Sequence, residues 1–183
     1  MILGLDISTS ITGATVLDYS GQVLYCEAWD LRSKKYFPNL FAKVQRFKQV
    51  MGNLYQINKY PIDSIFIEQS LMAFRPGFSS AKTILTLAKF NGILSYVCQQ
   101  DFGVEPQYIG ASTARKSCGI KIPKGEKAKD VVLQYVLDNE SNFVVEYTKH
   151  GNPKPESYDR ADAIVIAKAG WAIEQSSSKE DTQ

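Results

Sequence analysis

Hydrophobic and polar positions change period several times along the chain, and each change marks an element. Met1–Asp6 is a short apolar run closed by a carboxylate, and Ile11–Leu17 is a second run rich in Thr, Val and Ile. Asp18-Tyr19-Ser20-Gly21 signals a turn, and Gln22–Trp29 alternates as a strand does. Three strands joined by short turns predict an antiparallel meander. From Pro38-Asn39 the period becomes helical, through Leu40, Phe41, Val44, Phe47, Met51, Leu54 and Ile57. Asn39 is placed to cap that helix and Pro61 to follow its end. Ser64–Glu68 (SIFIE) reads as a short buried strand, again ending in a carboxylate, and residues 69–79 as a loop. Ser80–Gln100 is a second amphipathic helix. Val104–Ile109 is a fifth strand, which Pro106 confines to an edge.

Beyond it, Ala111–Cys118 and Glu126–Leu137 have helical patterns separated by a Lys/Pro/Gly linker. Lys149–Glu156 (KHGNPKPE) reads as a mobile loop, Tyr158–Gln175 as a final helix, and Ser176–Gln183 as a polar, disordered tail. The order β-β-β-α-β-α-β-α-α-α predicts an α/β fold, a mixed five-stranded sheet flanked by helices. With 183 residues and no internal repeat, one domain over residues 1–175 is expected.

Composition narrows the chemistry. The hydrophobic fraction of 44% and charged fraction of 22% are those of an ordinary globular protein. No apolar run approaches the ~20 residues of a membrane span. The opening MILGLDIS has no basic n-region, so it does not read as a signal peptide, and a cytoplasmic location is expected. Three scattered cysteines (Cys26, Cys98, Cys118) and one histidine, His150, argue against a zinc site and fit a reducing compartment. A nucleophile–histidine mechanism would have to use His150, in a Gly/Pro/Lys-rich stretch. The net charge of +2 decides nothing about nucleic acid, so the local distribution matters more.

Four acids stand out. Asp6 and Glu68 each close an apolar run, while Asp159 and Asp162 open one (DRADAIVIA). In a sheet protein, strand ends and a helix start can converge, and the i, i+3 spacing puts Asp159 and Asp162 on one helix face. Clustered carboxylates raise one another's pKa and cost stability unless a cation lies between them. Their hard oxygens select magnesium, with manganese as substitute. Two such ions about 4 Å apart are the clamp of phosphodiester hydrolysis. Each acid also has a plainer reading. Asp6 could cap a turn with Ser8 and Thr9, Glu68 could be an exposed strand-end charge, and Asp159 and Asp162 suit a helix start through the macrodipole. Ser8, Thr9 and Ser10 are best read as satisfying local backbone. Arg115, Lys116, Lys121, Lys124, Lys127 and Lys129 stand against one acid, Glu126, in a segment suited to phosphate contacts or to a solvated face.

The segments GLDISTSITGATVLD, SIFIEQSLM and YDRADAIVIAKAG resemble the RuvC family of Holliday-junction resolvases, particularly its shorter phage-encoded members. The resemblance extends over nearly the whole chain up to the tail. It implies an RNase H-like fold and a homodimeric, Mg2+-dependent endonuclease acting on four-way junctions and related branched DNA. It places the family's four acidic ligands on Asp6, Glu68, Asp159 and Asp162. It matches Arg115 and Lys127 to basic positions near the scissile phosphate, with Lys116 and Lys129 as alternatives in the Lys-rich segment. It makes Phe74, with Phe78 second, the aromatic that wedges into the junction, though both rings could instead pack under their own loop; Arg75 beside them could contact a phosphate or simply be exposed. The helix over Ser80–Gln100 could supply a dimer surface, since Leu85, Leu87 and Phe90 cannot share one face. Three other readings stand beside this one: an RNase H-like nuclease acting on RNA or an RNA–DNA hybrid, a fragment of an actin-like kinase suggested by GLDISTSITG, and a non-catalytic DNA-structuring module.

Overall fold

The computed structural model describes residues 1–56, 60–69 and 80–180; Phe74, Arg75 and Phe78 lie outside them. The strands are β1 (Ile2–Asp6), β2 (Ile11–Leu17), β3 (Val23–Asp30), β4 (Ser64–Glu68) and β5 (Gln107–Ile109). They form one sheet in the order β3-β2-β1-β4-β5. The first three make the expected antiparallel meander, β4 runs parallel to β1, and β5 runs parallel to β4. β5 is indeed an edge strand, but it is shorter than the pattern suggested. It begins only after Pro106, which has no N–H to give to a ladder.

Among the described residues, five helices, α1 (Leu40–Gln56), α2 (Ala81–Phe102), α3 (Ala111–Ser117), α4 (Ala128–Asn139) and α5 (Pro155–Glu180), cover the sheet. The Asn39 side chain accepts from the Ala42 N–H at 3.0 Å, capping α1 as its position predicts. The Ser80 hydroxyl likewise caps α2, and Gly103, with a left-handed φ of 71°, ends it. Strand alternation sorts the core into two layers. Leu3, Leu5, Ile65 and Ile67 pack with Phe47, Met51, Phe90 and Leu94 beneath α1 and α2. Ile2 and Phe66, pointing the other way, pack with Val132, Val136, Ala161, Ile164 and Ala167 beneath α4 and α5. α5 lies unusually close to the sheet. A Cβ on Gly4 would stand 2.6 Å from Ala167, and Gly170 leaves no room for one against the Phe66 ring.

Two expectations about the C-terminal part are corrected. α5 begins at Pro155, whose fixed φ and missing N–H suit a first helical position, and it continues to Glu180. Residues 176–180 are therefore helical rather than a disordered tail. The Ser176 and Ser177 hydroxyls donate to the carbonyls of Ala172 and Ile173, at 2.9 and 3.2 Å, so these polar side chains are satisfied within the helix. The preceding KHGNPKPE stretch is a hydrogen-bonded turn: Thr148 N–H donates to Asn152 O at 2.8 Å and Lys154 N–H to Glu146 O at 2.7 Å. No described helix is long and apolar enough to cross a membrane.

Candidate active site

Side-chain parity along the strands decides which acids meet. In β1, Ile2 and Gly4 face α5, so Asp6, two residues on, points to that side as well. In β4, Phe66 faces α5, and Glu68 follows it with the same parity. The parallel register pairs Leu5 with Ile67, so Asp6 and Glu68 end adjacent strands at one level. β2 places Gly13 opposite Asp6, and the bare Cα of Gly13 lies against the backbone carbonyl of Asp159. Asp162 follows on the next turn of α5. The four acids thus gather where the carboxyl ends of β1 and β4 meet the start of α5.

Their protonation equilibria record the proximity. Burial, then the charges of Glu68, Asp162 and Asp159, push the Asp6 carboxyl well above the usual range. Burial and Asp162 raise Glu68 to about 7, against the opposing pull of Arg115 and Lys129. Burial raises Asp162 to about 6, and Asp159 is raised chiefly by burial. Such mutual destabilisation of the charged forms is what a carboxylate cluster shows before a cation is added.

Among the described residues, one cation forms an ion pair with the cluster. Lys129, in the first turn of α4, places Nζ 3.7 Å from Oδ1 of Asp159. Burial opposes its charge, yet Asp159, Asp162, Asp6 and Glu68 together hold its ammonium above the ordinary lysine value. Its side chain is 61% exposed, against 11% for that of Asp159. Among the described residues, no three Asp, Glu, His or Cys side chains close around a point as a ready-made ion cage. The donor set is nevertheless composed of hard oxygens on one face, the chemistry that suits a divalent cation.

The basic segment divides. Arg115, half-buried on α3, acts electrostatically on Glu68 and Asp162. Lys116, Lys121 and Lys124 are exposed, on α3 and the linker after it. Lys127 is exposed in extended backbone at the cap of α4 and makes no ion pair among the described residues, so Lys129, the alternative in this segment, is the lysine facing the acids. The Ser8 hydroxyl donates to Ile11 O at 2.7 Å and accepts from the Ser10 and Ile11 N–H groups, which is the turn-forming role expected of it. His150 is exposed in the 148–151 turn.

Three nearby residues carried no signal in the sequence. Asn91, buried on α2, donates to the carbonyl of Glu68 at 3.4 Å, while its own Oδ1 is buried with no hydrogen-bond partner. Arg32 bridges Asp30 and Glu156, at 2.6 and 3.0 Å, beside the start of α5. Lys43 donates to the carbonyl of Thr9. None of the three belongs to a motif, and only the fold brings Asn91 to the backbone of Glu68 and Arg32 to the start of α5.

No model of a protein family matches the chain. It is 26% identical over 167 residues to the crossover junction endodeoxyribonuclease RuvC of Aliarcobacter butzleri strain RM4018, covering 91% of this chain and 94% of that protein. In structure it is similar to Thermus thermophilus RuvC in complex with Holliday junction substrate, with a TM-score of 0.65, 16% identity and 95% of each chain covered. It is also similar to the yeast mitochondrial Holliday junction resolvase Ydc2, with a TM-score of 0.60 and 14% identity over 98% of this chain and 80% of that one. The fold is that of RuvC, an RNase H-like mixed sheet with helices on both faces.

Proposed function

We infer that this chain, similar to RuvC in sequence and in fold along nearly its whole length, is a RuvC-family endonuclease that resolves Holliday junctions and related branched DNA. The observation that carries the reading is the convergence of Asp6, Glu68, Asp159 and Asp162 at one end of the sheet, with Lys129 and Arg115 beside them. Four half-buried or buried carboxylates on rigid elements are costly for a protein that makes no use of them. A junction-binding module without catalysis has no need of this cluster.

In this reading Asp6 and Glu68, fixed on strand ends, and Asp159 and Asp162, fixed on α5, hold two Mg2+ ions, with Mn2+ as substitute. When bound, the ions activate the attacking water and stabilise the leaving oxygen. The chain's own groups do the rest. The sheet and α5 hold the carboxylates in place, and Arg115 offers a fixed positive charge where the scissile phosphate would lie. Lys116, Lys121, Lys124 and Lys127, exposed on one stretch of chain, suit the flanking phosphates. The wedge role proposed for Phe74, with Phe78 second, and the phosphate contact proposed for Arg75 lie outside the described residues.

The nuclease unit is proposed to be one domain that works as a homodimer, so that two sites face symmetric strands of a junction. On α2, Phe90 is fully buried, whereas Leu85 is 62% exposed on another face, which leaves an apolar position free for a second copy. The test is Asp6→Asn: cleavage of a four-way junction should be lost while junction binding in Ca2+ is retained. Turnover by the variant at the wild-type rate would remove Asp6 from the site.

A further inference from the structure

Among the described residues, the positive charge paired with the proposed metal site is that of Lys129. Lys129 Nζ lies 3.7 Å from an oxygen of Asp159, and its charge acts on all four carboxylates. An ammonium and a divalent ion at that distance from the same oxygens repel each other and compete for the same lone pairs. The Lys129 side chain is 61% exposed, so the ammonium can leave by rotation about its own torsions while α4 stays in place. Lys127, two residues earlier at the helix cap, has no such contact. Arg115 also carries a positive charge, but it acts on Glu68 and Asp162 from a half-buried position on α3.

We propose that Lys129 is a built-in counter-cation of the carboxylate cluster, one that a divalent metal must displace, so that this side chain sets the metal concentration at which the site loads. The inference rests on the two-metal reading above and adds to it. Without added metal, Lys129 offsets the repulsion among the acids and stabilises the fold around them. When Mg2+ or Mn2+ enters, the same charge opposes it. The released ammonium then lies free at the mouth of the site, within the basic segment proposed to meet phosphate.

Two readouts with opposite signs test this without measuring cleavage. Wild type, Lys129→Met and Lys129→Gln are titrated with Mn2+ by calorimetry, free of DNA, and their thermal unfolding is followed in EDTA. Both variants should bind Mn2+ at least tenfold more tightly, a change of about 1.4 kcal/mol, and unfold at a lower temperature in EDTA. Lys129→Arg should resemble wild type in both. A merely structural lysine would lower stability and metal affinity together, and that result overturns the proposal, as does unchanged Mn2+ affinity in both variants. Wild type that binds no Mn2+ at all would overturn the two-metal reading itself, whereas equal binding by wild type and variants removes only the role of Lys129.

Discussion

Gly13 of β2 lies directly against the backbone carbonyl of Asp159, with no space for a side-chain carbon between them. The contact ties the sheet to the start of α5 at the point where the acids meet, since Gly13 is also the register partner of Asp6. Gly13→Ala must therefore push α5 away from β1 and separate Asp159 from Asp6. Overpacking of this kind costs about 1–3 kcal/mol. We expect a lowered melting temperature and a loss of cleavage larger than the loss of folded protein, measured by thermal unfolding and by single-turnover cleavage of a junction. A variant with unchanged stability and full activity would show that α5 does not depend on this contact.

Asn91 is a positioning residue rather than a catalytic one. It holds the carbonyl of Glu68 from the opposite face of the sheet, at 3.4 Å, within a buried environment. Asn91→Leu removes the donor while roughly keeping the volume. Loss of one buried hydrogen bond costs about 1 kcal/mol of stability, and the Glu68 strand end should become less ordered. The expected result is a fall in the cleavage rate with junction affinity in Ca2+ unchanged. Equal losses in both would place Asn91 in DNA binding instead.

The acids make stability depend on pH in a defined direction. Glu68, raised to about 7, and Asp162, raised to about 6, favour their protonated forms in the folded protein. The stability they contribute is full below the unfolded carboxylate pKa, near 4, and is lost as pH rises through about 6 to 7. In EDTA the melting temperature should therefore fall between about pH 4.5 and 7.5. Asp30, Asp63 and Glu146 are lowered by their hydrogen-bonded partners and act the opposite way, but their effect lies at and below the ordinary carboxylate range. Added Mn2+ should abolish the fall, because metal binding favours the charged forms. Glu68→Gln and Asp162→Asn should each flatten it. A slope identical in wild type and both variants would show that these acids do not titrate in that window.

The exposed lysines should behave as phosphate contacts without sequence preference. Lys124→Gln and Lys121→Gln should each weaken junction binding on every sequence tested and reduce the slope of log K against log salt by about one. Binding with an unchanged salt slope would leave these residues as a solvated face.

Much of this arrangement was legible in the chain. β2 and β4 begin and end where the apolar runs do, Asn39 caps α1, and Pro106 marks an edge strand. Asp6 and Glu68 could be singled out because a carboxylate closing an apolar strand is conspicuous, and parity then placed both on the α5 face. The identity of the inward-facing lysine was not legible. Lys127 and Lys129 differ by two positions in a Lys-rich run, and which of them points inward depends on α4 starting at Ala128 rather than at Glu126. Asn91 gave no signal because a polar residue within an amphipathic helix is ordinary until the fold buries it. The helical course of residues 176–180 was hidden by polar residues such as Ser176 and Ser177, which favour turns in isolation and here satisfy themselves on the preceding carbonyls.

The proposed function is that of a metal-dependent nuclease selective for branched DNA. The most direct test is cleavage of matched labelled substrates (four-way junction, three-way fork, linear duplex, RNA–DNA hybrid) with Mg2+, Mn2+ or EDTA. That function requires paired nicks in the junction that depend on metal, leave a 5′-phosphate and leave the duplex intact. Cleavage of the hybrid alone, or tight junction binding with no cleavage under any metal, would contradict it.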